Sequence, residues 1–163
     1  MKKAIWRLFA GVTILVVFVV LLAWIFLRAS LPETDGEFQA DSLTGSATIA
    51  RDATGIPVIT ATTRMDLAFA TGFAHGQDRF FQMDLIRRQA AGELSEIVGA
   101  VALNLDKRNR FHRFRSRAKM VLAAASTDDR ALLQRYADGV NAGRDSLTAR
   151  PFEYVILGVE PQP

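Results

Sequence analysis

The apolar positions change period along the chain, and each period predicts an element. Residues 8–27 read LFAGVTILVVFVVLLAWIFL, an apolar run with no charged residue. At 1.5 Å per residue a helix of that length spans about 30 Å, the thickness of a bilayer's hydrocarbon core. From Ala47 the pattern alternates. Ala47-Thr48-Ile49-Ala50-Arg51 reads as a half-buried strand, Asp52-Ala53-Thr54-Gly55 as a turn, and Ile56-Pro57-Val58-Ile59-Thr60-Ala61 as a second strand. Pro57 stands near a strand start, where a missing N–H is tolerated. The two strands make a predicted hairpin.

From about Met65 the period becomes helical. Thr62 or Thr63 is placed to cap this helix, with Asp66 in its first turn. Phe69, Phe73, Phe80 and Met83, shadowed by Ala70, Ala74, Phe81 and Leu85, form an apolar stripe wide enough for a mostly buried helix. Gly92 is its natural stop. Gly72 and Gly76, four apart, would let another element approach the backbone. A short helical turn is expected over Glu93–Val98, closed by Gly99, and further helix over Val101–Ala125 in one or two pieces. In that stretch Leu103, Phe111, Phe114 and Val121 are expected to dock on the core. Ser126 or Thr127 caps a last helix running to about Asp145, with Leu132, Leu133, Tyr136, Ala137 and Val140 inward. No helix or strand is expected beyond it. The Pro-, Gly-, Ser- and acid-rich segment Ser30–Ser46 reads as a linker, with a short strand at Gly36–Ala40.

Charge gives the N-terminal run a direction. Lys2, Lys3 and Arg7 precede it and only Arg28 follows closely, so the positive-inside rule puts the N-terminus in the cytoplasm and the remainder outside. Trp6 and Trp24 lie near its ends, where indoles favour the interface. The rival reading is a cleaved signal peptide. Those have apolar stretches of about 7–15 residues and a small-x-small cleavage site, whereas Leu27-Arg28-Ala29 is a poor one. The expectation is a single-pass anchor in the inner (cytoplasmic) membrane with the soluble part on the periplasmic or extracellular side. The chain has 163 residues, a net charge of +3 and no cysteine. Disulfides, thiolate metal sites and a cysteine nucleophile are therefore excluded. Lys107 to Lys119 is densely basic and carries Phe111 and Phe114. It reads as a solvated face and not as a nucleic-acid site, since a domain outside the membrane rarely meets nucleic acid.

Most signatures of chemistry are missing: there is no H-E-x-x-H, P-loop, G-x-G-x-x-G or G-x-S-x-G. His75 and His112 fall on different predicted helices without a second ligand at metal spacing, and His75 reads as a satisfied core histidine. Asp78 and Asp84, six apart, do not share a helix face closely, so a paired-carboxylate mechanism has no support. What stands out is the polar run His75-Gly76-Gln77-Asp78-Arg79 ahead of Phe80-Phe81-Gln82-Met83-Asp84. Either Asp78 and Arg79 point to solvent, or the run forms a satisfied hydrogen-bonded network that fixes the helix beneath a site.

Those residues carry a resemblance. Arg51-Asp52, Gly55-Ile56-Pro57, Asp66-Leu67, Gly72-Phe73, His75, Gln77-Asp78-Arg79-Phe80-Phe81-Gln82-Met83-Asp84, Arg87-Arg88, Gly92, Leu94, Glu96 and Gly99 fall in order. Tyr136-Ala137-Asp138-Gly139-Val140-Asn141-Ala142 and the Pro151–Gly158 stretch follow them. Over roughly Ala47 to Pro161 the chain resembles the start of the α-chain of the penicillin acylase (penicillin amidase) family, within the N-terminal-nucleophile (Ntn) hydrolase superfamily. The resemblance implies an α+β class, part of an αββα fold, with a mainly helical α-chain portion and a β-hairpin. It implies a precursor that cuts itself into this α-chain and a β-chain partner. The new N-terminal serine of the β-chain is then the nucleophile and its α-amine the base. The substrate is a small N-acyl amide: a penicillin, a glutaryl-cephalosporin or an acyl-homoserine lactone. Family α-chains continue past this point, through acyl-pocket residues and a ligand of a structural calcium.

No catalytic, cofactor-binding or metal-ligating residue is therefore assigned among residues 1–163, and Ser42, Ser46 and Ser95 do not match the nucleophile. The expected organisation is a cytoplasmic N-terminus and anchor over 1–29, a linker over 30–46, and a truncated α-chain region over 47–163. The expected function is that of the N-terminal portion of an anchored amidohydrolase, inactive by itself. The alternative is a membrane-tethered, non-catalytic binding or scaffold protein derived from the α-chain.

Overall fold

The computed structural model describes residues 2–162. Helix α1, Lys2–Ala29, holds the apolar run, and its part Ile5–Ala29 is long and apolar enough to cross a membrane. Strands β1, Ala47–Arg51, and β2, Pro57–Ala61, pair antiparallel, with Ile49 opposite Ile59 and Arg51 opposite Pro57. Asp52 builds the turn between them. One of its carboxylate oxygens accepts hydrogen bonds from the Thr54 and Ile56 N–H groups and from Thr54 Oγ1. Gly55 supplies the positive φ of 82° that the turn needs. Along both strands half-buried and exposed residues alternate as expected.

The long helix α2 runs from Arg64 to Ala91. Thr63 caps it by accepting from Asp66 N–H at 3.0 Å, while Thr63 Oγ1 donates back to the Asp66 carboxylate at 2.7 Å. Gly92 ends it in the left-handed conformation, φ 72°. Short helix α3, Ser95–Val98, leads through a tight 3-10 turn at Gly99–Ala102 into α4, Leu103–His112, and α5, Phe114–Ala124. The buried Asp106 of α4 accepts from the N–H groups of Leu94 and Ser95 at 3.0 and 2.7 Å. Arg110 donates to the Gly92 carbonyl at 2.7 Å. Together they clamp α4 onto the end of α2. Arg113 separates α4 from α5 with φ 54° and ψ 37°, a left-handed conformation that an arginine adopts at a cost. Helix α6, Thr127–Asp145, is capped by Ser126, and α7 spans Phe152–Leu157.

The centre of the fold is the crossing of α2 and α6. A Cβ added to Gly72 would lie 2.1 Å from the Tyr136 carbonyl oxygen, and one on Gly76 2.2 Å from that of Val140. On the other helix, Gly139 and Gly143 press on the Phe69 and Phe73 carbonyls at 2.0 and 2.1 Å in the same sense. Contacts advance together along both helices, so α2 and α6 run in the same direction, backbone against backbone. The approach anticipated at Gly72 and Gly76 is met by a second pair of glycines four residues apart. Phe80, Val140 and Tyr154 form the adjoining apolar core, with Phe81, Met83 and Tyr136 packed on it.

The structure corrects several expectations. Gly36–Ala40 forms no strand: Gly36 has φ 135° and Phe38 turns its ring onto Phe73, which breaks the alternation a strand requires. The end of the chain does contain a helix, α7. Its six residues, bracketed by Pro151 and a left-handed Gly158, are too few for a period to be visible. Leu103, Phe111, Phe114 and Val121 do not dock on the core; they are exposed, Phe111 at 85%. Helix α5 buries no residue, because the chain turns at Arg113 before it can follow α2 back. Leu133 and Ala137 of α6 are likewise exposed, since the crossing uses the Gly139–Gly143 edge of that helix.

Candidate functional site

The polar run of α2 proves to be a set of ties between elements. Arg51 of β1 reaches Asp78 with both guanidinium nitrogens, Nη1 to Oδ2 at 2.9 Å and Nη2 to Oδ1 at 2.8 Å. This bidentate pair fixes the hairpin to α2. Gln77 Nε2 donates to Ser146 Oγ at 3.1 Å, and Ser146 Oγ donates to the Gly143 carbonyl, holding the end of α6. His75 Nδ1 lies 2.8 Å from Tyr136 Oη, again between α2 and α6. His75 is satisfied but exposed, and so is not the core histidine expected; α2 turns that edge to water. Arg79 alone behaves as a solvent residue, bonded locally to Gln82 where α2 is kinked. Gln77 and Asp78 thus take part in hydrogen bonds between elements, while Arg79 points to solvent.

One buried polar group of α2 is Asp84. Its side chain is almost fully buried, and it accepts from Tyr154 Oη at 2.8 Å, from Arg88 Nε at 3.0 Å and from Arg87 Nη2 at 2.7 Å. Arg88 extends the chain to Glu96 Oε2 at 2.6 Å. Two carboxylates thus balance two guanidinium groups. Burial pushes the Asp84 carboxyl up, but the hydrogen bonds from Arg87, Arg88 and Tyr154 outweigh it and hold the group below the ordinary carboxylate value. Burial and the Asp84 carboxylate together drive the Tyr154 phenol well above its ordinary value, so it stays a donor. This knot joins α2, α3 and α7. The sequence displayed Asp84, Arg87 and Arg88 at helical spacing, the one available signal. Tyr154 stands 70 residues away and gave none.

Two concave surfaces flank this frame. A groove of about 640 Å³ lies between residues 33–39, β1 and α2, floored by Phe38, Leu43, Phe69 and Phe73. A smaller one, about 240 Å³, is lined by Phe80, Met83, Tyr136 and Val140 beside Asp84. Ser46 borders the first, Ser42 lies just before it in the chain, and Ser95 begins α3 with its N–H on Asp106. Among the described residues no three His, Asp or Glu side chains stand together as a metal site would require. The buried aspartates are already engaged: Asp84 by Arg87, Arg88 and Tyr154, Asp66 by Thr44 and Thr63, Asp106 by two backbone N–H groups. What this arrangement does is hold helices and hairpin at fixed angles while leaving apolar surface on α4 and α5 exposed: Phe111, Phe114, Met120 and Val121.

Residues 46–163 match the family described as Penicillin amidase. The chain is 37% identical over 137 residues to penicillin acylase 2 proenzyme of Pseudomonas sp. (strain SE83), covering 84% of this chain and 18% of that protein. It is 38% identical over 113 residues to acyl-homoserine lactone acylase QuiP of Pseudomonas aeruginosa, covering 69% of this chain and 13% of that one. Among solved structures, the thermostable penicillin G acylase from Alcaligenes faecalis superposes with a TM-score of 0.65 at 30% identity, over 74% of this chain and 66% of that one. The chain spans less than a fifth of the length of these curated relatives.

Proposed function

The chain belongs to the penicillin amidase family, and from that premise we propose that it is the N-terminal, α-chain part of an enzyme that hydrolyses a small N-acyl amide. The named relatives act on penicillins and acyl-homoserine lactones, and one is called a proenzyme. The bond broken is the linear amide C–N bond. The nucleophile is the N-terminal serine of a β-chain released from the same precursor, with its own α-amine as base. The reading is carried by one observation: the matched region folds into a frame whose buried carboxylates are engaged by donors within it, while the apolar faces of α4 and α5 lie uncovered. Such a frame orients a catalytic partner and leaves the chemistry to it. Residues 1–29 serve as an uncleaved anchor, 30–46 as the connection, and 47–163 as the α-chain region on the periplasmic or extracellular side.

The test is to isolate the protein from its native membranes and identify what accompanies these peptides. A second polypeptide beginning with serine, together with N-acyl anilide turnover that is lost when that serine becomes alanine, supports the proposal. Recovery of the chain alone, without turnover, would instead leave a tethered scaffold protein.

A further inference from the structure

The apolar helix ends against the body of the protein and not in a free spacer. The carbonyl of Ala29, the last residue of α1, accepts a hydrogen bond from the Ala149 N–H at 3.0 Å. Ala29 and Ser30 are half-buried, although the span before them is exposed. The segment that follows returns to the body. The Phe38 ring lies 4.8 Å from that of Phe73, and Thr44 N–H donates to Asp66 at 2.9 Å.

Depth follows from the length of the helix. The uncharged run ends at Leu27, so Ala29 stands about 3 Å beyond the hydrocarbon edge at 1.5 Å of rise per residue. The headgroup layer on each side is about 5–7 Å thick. A backbone group bonded to Ala29 lies inside that layer. Three residues after Ala149, α7 begins. Phe152, Val155 and Ile156 fall at i, i+3 and i+4 on one face and are exposed, Ile156 at 76%, while Tyr154 on the opposite face is fully buried. Arg28 stacks over Trp24 at 5.6 Å, the pairing of cation and indole that suits a phosphate-rich interface.

We infer that the body rests directly on the bilayer surface, with the loop 146–151 at headgroup depth and the Phe152–Val155–Ile156 edge of α7 facing lipid. The inference rests on the proposed anchor. Its partner is the lipid–water interface, which takes up an apolar stripe beside cations. The consequence is a fixed distance and tilt between the membrane and the α2–α6 frame.

The chain has no cysteine, so single cysteines can carry a polarity-sensitive fluorophore without background. Three exposed positions serve: Leu15→Cys in α1, Thr148→Cys in the loop and Ile156→Cys on α7. Each full-length variant is reconstituted in phosphatidylcholine vesicles containing a spin label either in the headgroup or deep in the acyl chain. The expected result is quenching of the Leu15 probe by the deep label, and blue-shifted emission of the Thr148 and Ile156 probes with quenching by the headgroup label. A quenched Leu15 probe with either of the other two in water would overturn the inference while the anchor stands. A Leu15 probe that the deep label does not quench would overturn both.

Discussion

Asp84 is the residue on which the frame depends most. Four elements of chemistry converge on one carboxylate: a phenol from α7, two guanidinium groups from its own helix, and through Arg88 the Glu96 carboxylate of α3. Removing the charge but keeping the shape, as in Asp84→Asn, leaves the buried Arg88 with only the exposed Glu96 carboxylate as its ionic partner; losing a buried partner altogether costs about 3–5 kcal/mol, and the remaining Glu96 puts this loss at the lower end. Tyr154→Phe removes one hydrogen bond and should cost about 1–2 kcal/mol. Urea unfolding of both variants in vesicles checks the order; equal costs would mean that the guanidinium groups contribute little. The same carboxylate sets an acid limit. Its folded pKa is depressed, so its contribution is present above its unfolded value of about 4 and is lost as pH falls through the lower folded value. Wild type should lose stability over that window more steeply than Asp84→Asn. The sequence offered part of this site. Arg87 and Arg88 stand at i+3 and i+4 from Asp84 and could be placed beside it, whereas Tyr154 could not, because pairing across 70 residues is decided by the packing of α7 and leaves no local period.

Among the elements, the α2–α6 crossing is where geometry leaves least freedom. Gly139→Ala puts a methyl 2.0 Å from the Phe69 carbonyl oxygen, a backbone atom that cannot step aside. The crossing must open, and a loss of about 3 kcal/mol or more is expected from such overpacking. Gly11→Ala in α1, where nothing lies within 4 Å, is the control and should leave thermal unfolding unchanged or slightly raised. Element identity was legible wherever a period ran long enough. The caps at Thr63 and Ser126, the stop at Gly92 and the hairpin over 47–61 all stand where the residue chemistry put them. Two kinds of feature were not legible. Six-residue α7 shows no period, and the turn at Arg113 breaks the rule that left-handed backbone belongs to glycine, so the apolar residues of α5 point to a core that they never reach.

At the scale of the whole molecule, the chain combines a helical frame with an exposed apolar helix and with uncovered apolar surface on α4 and α5. The chain belongs to the penicillin amidase family, and under the proposed function its frame would orient the catalytic partner of an anchored N-acyl amide hydrolase. A frame and its chemistry can be separated in the test tube, and hydrolysis of a chromogenic phenylacetyl anilide does so most directly. The account predicts turnover by the protein isolated from its native membranes and none above buffer by the purified 163-residue chain. Turnover by the isolated chain, or its absence from the native preparation, would contradict it.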